Sequence, residues 1–87
     1  MNKIVSKLID LERKSQDQKH PHKEPIDDFK WLAVLTEEFL ELAQAINDKA
    51  GTDRIGEELI QVTAVGVRWL ETMVKENIRS ANHSDQG

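Results

Sequence analysis

The chain has 87 residues, of which 38% are hydrophobic and 32% are charged, with a formal net charge of −4 and no cysteine. A chain this short forms one domain at most and buries a limited share of its surface without disulfides to compensate, so we expect association with another copy. The acidic balance and the lack of a basic stripe disfavour binding to nucleic acid. No apolar run approaches the roughly 20 residues that span a bilayer, and the N-terminal charges are too closely spaced for a signal peptide, so we expect no membrane contact and a cytoplasmic location.

The first predicted element is an amphipathic helix over about residues 2–17. Apolar residues recur there in an i, i+3/i+4 pattern that predicts burial of one narrow face. The pattern comprises Ile4, Val5, Leu8, Ile9 and Leu11, with Glu12. Pro21 and Pro25 then forbid a continuous helix, and residues 16–25 are expected to form a loop rich in cations.

A second, longer helix is predicted after this loop. It should begin near Ile26 or Asp27, with Asp27 or Asp28 as its cap, and extend to about Lys49. Gly51 is expected in the left-handed position that ends it.

A third helix should follow after a short turn. Thr52 or Asp53 is available as its cap, and the apolar pattern runs to about Ile78. Residues 80–87 lack apolar side chains and are expected to be a disordered tail, which leaves residues 1–79 as a single helical domain without strands.

Two matching acidic blocks stand on the inward stripes of the second and third helices. With a step of about 100° per residue, Glu38 is centred among apolar residues of the second helix and Glu58 among those of the third. The neighbours are Trp31, Leu35 and Leu42 on the second helix and Val62, Val65 and Trp69 on the third. Glu41 and Gln61, each three residues after the central acid, lie at the edge of the same stripe.

Such buried carboxylates need a compensating charge. An ionised carboxylate without a partner is unfavourable in an apolar environment, and clustering raises the penalty. Since oxygen is the only donor type, Mg²⁺ or Mn²⁺ is the simplest partner. Acids on a helix face by chance, or capping a neighbouring helix, are the alternative, but the repeated spacing favours a metal site.

The short turn predicts that the two blocks meet. It makes the second and third helices antiparallel neighbours, so Glu38, Glu41, Glu58 and Gln61 can converge on one site. We therefore expect an all-α fold in which this helical hairpin, with a short N-terminal helix, completes a four-helix bundle by pairing with a second copy, as a homodimer or homotetramer.

The residues resemble a known family at this point. Glu37-Glu38-x-x-Glu41 followed by Glu58-x-x-Gln61 is similar to the E-E-x-x-E and E-x-x-D motifs of the MazG-like, all-α nucleoside triphosphate pyrophosphohydrolases, and the likeness covers about residues 26–75. The segments WLAVLTEEFLELAQAI and EELIQVTAVGVRWLE look like the sequences of the short MazG-like proteins of phages and mobile elements. Gln61 departs from the family pattern, which has Asp there.

The resemblance implies roles for these residues. Glu38, Glu41 and Glu58 would bind Mg²⁺, with Gln61 at the fourth position, and Glu37 is the candidate catalytic group that positions the attacking water. The reaction would cleave a nucleoside triphosphate to the monophosphate and pyrophosphate. A Gln at position 61 still offers a carbonyl oxygen but removes one negative charge, which should lower metal affinity.

Phosphates also need cations beyond the metal. Arg54 and Arg68 lie on the third helix near the acids, and Lys23 and Lys30 belong to or adjoin the loop; each is either a phosphate ligand or an exposed charge. Trp31 is either a core residue or a substrate contact. No histidine stands three residues after a Glu, which disfavours a di-iron carboxylate bundle.

Two functions remain open from the sequence. One is a Mg²⁺-dependent hydrolase of nucleotide-pool housekeeping, and the other is a catalytically silent helical dimer that binds nucleotide or a protein partner. Gln61 is the residue that keeps the second alternative open.

Overall fold

The computed structural model describes residues 1–20 and 27–85, with side chains to residue 78, and over these ranges it contains three helices and no strand. They are α1 (Lys3–Lys19), α2 (Asp28–Asn47) and α3 (Thr52–Asp85). The predicted all-α class is thus confirmed. None of these three helices combines the length and the apolar composition that a membrane crossing needs.

Side-chain caps fix where α1 and α2 begin. Asn2 Oδ1 accepts from the backbone nitrogens of the second and third residues of α1, Ile4 at 2.8 Å and Val5 at 3.3 Å. Asp27 Oδ1 accepts from the backbone nitrogen of Lys30 at 2.9 Å, which satisfies a donor that the first helical turn leaves open. Asp27 is therefore the cap of α2, and the helix begins one residue later.

The end of α2 differs from the prediction. The helix ends at Asn47, and Lys49 takes a left-handed φ of 54°. The backbone N–H groups of Lys49 and Ala50 donate to carbonyls of the last turn at 3.1 and 3.0 Å, the paired bonds of a Schellman motif. Lys49 thus occupies the position predicted for Gly51, because these bonds stabilise a backbone conformation that a side chain disfavours. Gly51, with φ of 94°, turns the chain into α3.

The bounds of α3 also differ from the prediction. Thr52 is its first residue and not its cap, and the helix runs to Asp85, past the predicted end at about Ile78. A nucleated helix gains one hydrogen bond with each added residue, so it can continue beyond its last apolar contact. The predicted tail, residues 80–87, therefore overlaps the last turns of α3, and residues 86–87 lie outside the described ranges.

The third helix is central. Over the described ranges, α1 and α2 each pack on α3 and not on each other. The Schellman turn makes α2 antiparallel to α3, whereas α1 runs parallel to α3, since Leu8 lies beside Ile60 and Asp17 bonds Arg68. The gap between α1 and α2, with α3 as its floor, is hereafter called the cleft.

Polar contacts hold α1 in place, contrary to the predicted apolar face. Of its apolar residues only Ile9 is buried. The other four, Ile4, Val5, Leu8 and Leu11, are exposed. Arg13 binds the carboxylate of Glu71 on α3 at 2.5 and 2.6 Å, and the buried Gln16 donates to the backbone carbonyl of Gln61 at 3.3 Å. The face of α1 that meets α3 is thus largely polar.

Candidate metal centre and the adjoining cavity

Three of the predicted metal ligands meet at one point of the cleft. Glu38 and Glu41 of α2 and Glu58 of α3 each place a carboxylate oxygen so that the three atoms lie within 4.8 Å of one another. Glu58 is 1% exposed, Glu38 is half-buried and Glu41 is exposed. The site therefore opens to solvent on the side of Glu41.

Gln61 lies against two of these acids. One terminal atom of its side-chain amide is 3.1 Å from Oε2 of Glu38 and 3.2 Å from Oε2 of Glu58. With nitrogen in that place, the amide donates a hydrogen bond to each carboxylate; with oxygen there, a cation must lie between the groups to offset the repulsion. Gln61 thus suits a metal-free cluster with its amide nitrogen toward the acids, and a metal-bound cluster after a rotation of about 180° that brings its oxygen there.

Burial and the neighbouring acids raise the pKa of Glu38 above its ordinary value of 4.5. Burial is the main cause, and the negative charges of Glu41, Glu58, Glu12 and Glu37 follow in that order. Both effects disfavour the ionised form.

Glu12 of α1 is a member of this site that the sequence did not identify as one. It faces Gln61 across a cavity of about 340 Å³ and raises the pKa of Glu38 more than Glu37 does. Its signal in the sequence is the four-residue spacing of Glu12, Gln16 and His20, which places them on one helical face. Glu12 adds to this end of the cleft the negative charge that Gln61 lacks.

Arg54 already neutralises part of the cluster. Its Nη2 lies 2.8 Å from Oε1 of Glu58, one turn later on α3, and its Nη1 lies 3.8 Å from Glu57. The Arg54 side chain is 59% exposed, so it can move away into solvent. Arg54 is therefore an ion-pair partner of a candidate metal ligand in this structure.

The donor set fits a hard divalent cation. All candidate donors are oxygens, and three of them carry negative charge, which Mg²⁺ and Mn²⁺ prefer over softer metals. Opposite ligands of Mg²⁺ stand about 4.2 Å apart, so the carboxylate oxygens, all within 4.8 Å, need little movement to hold an ion. Glu38, Glu41 and Glu58 would hold it, with the Gln61 carbonyl as a neutral fourth donor.

A cavity of about 480 Å³ adjoins the cluster in the cleft. Its walls are largely apolar, and Glu38 belongs both to this wall and to the acidic cluster. The lining residues are Gln16, His20, Lys30, Trp31, Ala33, Val34, Glu37, Glu38, Val65 and Arg68. An occupant that reaches Glu38 therefore also contacts the candidate metal centre.

Trp31, Glu37 and Lys30, which were predicted as site residues, line this cavity. Trp31 is 2% exposed and serves both as a core residue and as part of the cavity wall. Glu37 and Lys30 are exposed at its rim, and Lys30 belongs to the first turn of α2 and not to a loop. Lys23 lies outside the described residues.

Arg68 is buried beneath α1 and not presented to solvent. Its Nε donates to Asp17 at 3.0 Å, its Nη1 to Gln16 Oε1 at 3.2 Å and its Nη2 to the carbonyl of His20 at 3.3 Å. The guanidinium carbon also lies 5.4 Å from the ring centroid of Trp31, in cation–π range. Arg68 thus ties the end of α1 to α3 and forms part of the cavity floor.

Trp69 lies outside the lining of this cavity. Its Nε1 donates to Oδ1 of Asp28 at 3.0 Å, which joins α3 to the start of α2. Trp69 is therefore an anchor of the hairpin at its open end.

In comparisons with models of protein families, with curated proteins and with solved structures, the chain shows no match.

Proposed function

We propose that the protein is a Mg²⁺-dependent nucleoside triphosphate pyrophosphohydrolase that cleaves (d)NTPs to (d)NMPs and pyrophosphate in nucleotide-pool housekeeping. The observation that carries this proposal is the convergence of Glu38, Glu41 and Glu58 beside a cavity large enough for a nucleoside. The spacing of these acids is also the basis of the resemblance to MazG-like hydrolases.

The acidic residues would have two different roles, metal binding and proton transfer. Glu38, Glu41 and Glu58 hold the ion, which when bound neutralises phosphate charge and orients the phosphates. Glu37, which precedes Glu38 in the chain, is an exposed residue of the cavity wall and can accept a proton from a water held near the phosphates. Arg54 can leave Glu58 once an ion binds there and can then pair with a phosphate.

The test is hydrolysis of a panel of canonical and modified dNTPs with Mg²⁺, followed through inorganic pyrophosphatase and phosphate release. We expect turnover by the wild type and loss of at least roughly a hundredfold in Glu38→Ala, as for a transition-state charge contact. Glu76→Ala, an exposed acid on α3, is the matched control and should keep full activity. If no nucleotide is turned over, or if Glu38→Ala equals wild type, the protein is not this enzyme.

The same proposal includes a homodimer that completes a four-helix bundle, or a tetramer built from it. Leu32, Phe39 and Ile46 recur every seven residues on α2, between 51% and 58% exposed. A step of about 100° places them on the opposite flank of α2 from Val34 and Glu37, which face the cleft. Among the described residues, none covers this stripe, called the outer stripe below, on the side of the hairpin away from α1, where a second hairpin can pack.

One observation favours the second alternative, a silent helical dimer that binds nucleotide or a protein partner. The Gln61 amide can join Glu38 and Glu58 by hydrogen bonds, so the cluster does not depend on an ion to be tolerated. Measured binding of a non-hydrolysable dNTP without turnover of the corresponding substrate would select this alternative.

A further inference from the structure

The cavity between α1 and α2 is a better site for a base than for phosphates. Glu37 and Glu38 stand in its wall and offset the charges of Lys30 and Arg68, so the lining offers a phosphate no net positive charge. Arg68, the one buried cation of its floor among the described residues, already bonds Asp17. An anion entering the cavity would have to compete with these groups, whereas an uncharged planar ring would not.

The remaining wall is suited to a flat apolar ring. Val34 and Val65 contribute aliphatic surface, and Trp31 stands in the wall with Arg68 against its ring. The volume of about 480 Å³ lies within the range of ordinary small-molecule pockets, roughly 300–1,000 Å³. Since Glu38 belongs to both this wall and the acidic cluster, a base placed here can direct its sugar and phosphates toward the cluster.

The polar groups of the floor are already engaged within the protein. Gln16 donates its amide nitrogen to the carbonyl of Gln61 and accepts a bond from Arg68 on its oxygen. Arg68 in turn donates to Asp17 and to the carbonyl of His20. A base could form hydrogen bonds with this floor only if these internal bonds were broken. The net gain in binding free energy would therefore be small.

The polar groups at the rim discriminate weakly. His20, Lys30 and Glu37 are exposed, so a hydrogen bond between any of them and a base replaces one to water. Apolar pockets separate related ligands by roughly 10- to 200-fold, whereas sites built on buried hydrogen bonds reach about 10⁴-fold or more.

We infer that this cavity holds the base of the nucleotide by shape and apolar contact, and that it accepts purines and pyrimidines alike with little discrimination by hydrogen bonding. The identity of the ligand class rests on the proposed function.

The experiment titrates unphosphorylated deoxyadenosine, deoxyguanosine, deoxycytidine and thymidine into the ¹⁵N-labelled full chain without metal. The indole N–H signal of Trp31, assigned with Trp69→Phe, reports on the cavity. We expect all four nucleosides to shift it, with midpoints within roughly a hundredfold of one another, as for an apolar pocket.

Val34→Phe fills the cavity from its rim and should raise every midpoint at least tenfold. Val5→Phe is its matched control, because Val5 is as exposed (44% against 41%) but lies on α1 outside the cavity, and it should behave as wild type. Ala33→Leu, also in the cavity wall, replaces Val34→Phe if the latter fails to give a folded ¹⁵N spectrum, and should have the same effect.

The outcomes separate this inference from the proposed function. Nucleoside binding at Trp31 without dNTP turnover supports the cavity assignment and rejects the hydrolase. The cavity assignment is rejected if dNTPs are turned over but nucleosides do not shift the Trp31 signal. It is also rejected if dNTPs are turned over and KM is unchanged in Val34→Phe. A single nucleoside that binds more than roughly 10³-fold tighter than the others rejects the broad specificity.

Discussion

The guanidinium of Arg54 lies 2.8 Å from the carboxylate of Glu58, one turn later on α3, so a side-chain cation sits where a metal ion would bind. Arg54 and Mg²⁺ should therefore compete for Glu58. We expect Arg54→Gln to bind Mn²⁺ or Mg²⁺ several-fold more tightly in isothermal titration calorimetry, while KM for dNTPs rises because a phosphate partner is lost. Lys75→Gln, an exposed cation on the same helix, should change neither quantity. Unchanged or weaker metal affinity in Arg54→Gln would show that the two cations do not compete.

The raised pKa of Glu38 predicts how stability depends on pH. Because the folded protein holds this proton above the ordinary value of 4.5, it binds more protons than the unfolded chain between that value and the raised pKa. Stability without metal should then fall as pH rises through this window and level off above it. Glu38→Gln should remove this part of the pH dependence and raise Tm at pH 7 by a few degrees, with little change near pH 4.

Thermal unfolding followed by circular dichroism across pH, in chelator, measures this effect. Glu76→Gln, an exposed acid on α3, serves as the control and should keep the wild-type pH dependence. The prediction fails if Glu38→Gln is less stable than wild type at pH 7 in the absence of metal.

Replacing Gln61 by Asp should have opposite effects with and without metal. The change removes the donor to Glu38 and Glu58 and adds a further negative charge, so Tm in chelator should fall. Mg²⁺ affinity should rise by about tenfold, or about 1.4 kcal/mol, because the site gains a charged ligand. Thermal shift over a Mg²⁺ titration measures both effects, and Gln18→Asp on α1 is the control. A weaker metal requirement in Gln61→Asp would mean that residue 61 is not a ligand.

A charge in the outer stripe should dissociate the proposed dimer. Phe39→Glu places an acid where the second copy is expected to pack, so light scattering after gel filtration should show a monomer, and a dimer or tetramer for wild type. Leu40→Glu is the matched control, because Leu40 is equally exposed (61% against 58%) but lies about 100° further around α2. A wild-type monomer at micromolar concentration would exclude the bundle.

Glycine at position 49 should stabilise the protein. Lys49 has φ of 54°, a left-handed conformation that costs a residue with a side chain about 1–2 kcal/mol. Glycine avoids this cost, but its greater freedom in the unfolded chain offsets part of the gain. We expect urea unfolding of Lys49→Gly to show a gain of up to about 1 kcal/mol. Ala50→Gly, next to it without a positive φ, should be destabilised instead. Equal losses in both variants would argue against strain at Lys49.

The helical step predicted the acidic cluster well. Glu38, Glu41 and Glu58 meet as expected, because their phases depend only on residue spacing and on a short turn between α2 and α3. The packing of α1 could not be predicted in this way. Its apolar pattern indicated one buried face, whereas the contacts that hold it come from Arg13 and Gln16, whose partners lie more than 40 residues away on α3.

The roles of two further residues also depended on tertiary contacts. Arg68 was predicted to be either a phosphate ligand or an exposed charge, but its neighbours from α1 bury it in a hydrogen-bond network. Lys49 carries the left-handed conformation because the helix ends two residues early, and the choice between Lys49 and Gly51 follows from the backbone bonds of the final turn.

The Schellman turn has a consequence for how tolerant the chain is to insertions. It acts as a spacer of fixed length between two halves of one site, since Glu41 lies before it and Glu58 after it. Each residue added within α3 between the turn and Glu58 would rotate the second half by about 100° and shift it by about 1.5 Å. Such a chain would keep its helices and lose its acidic cluster, so the spacing between the two blocks is under tighter constraint than most of the residues that fill it.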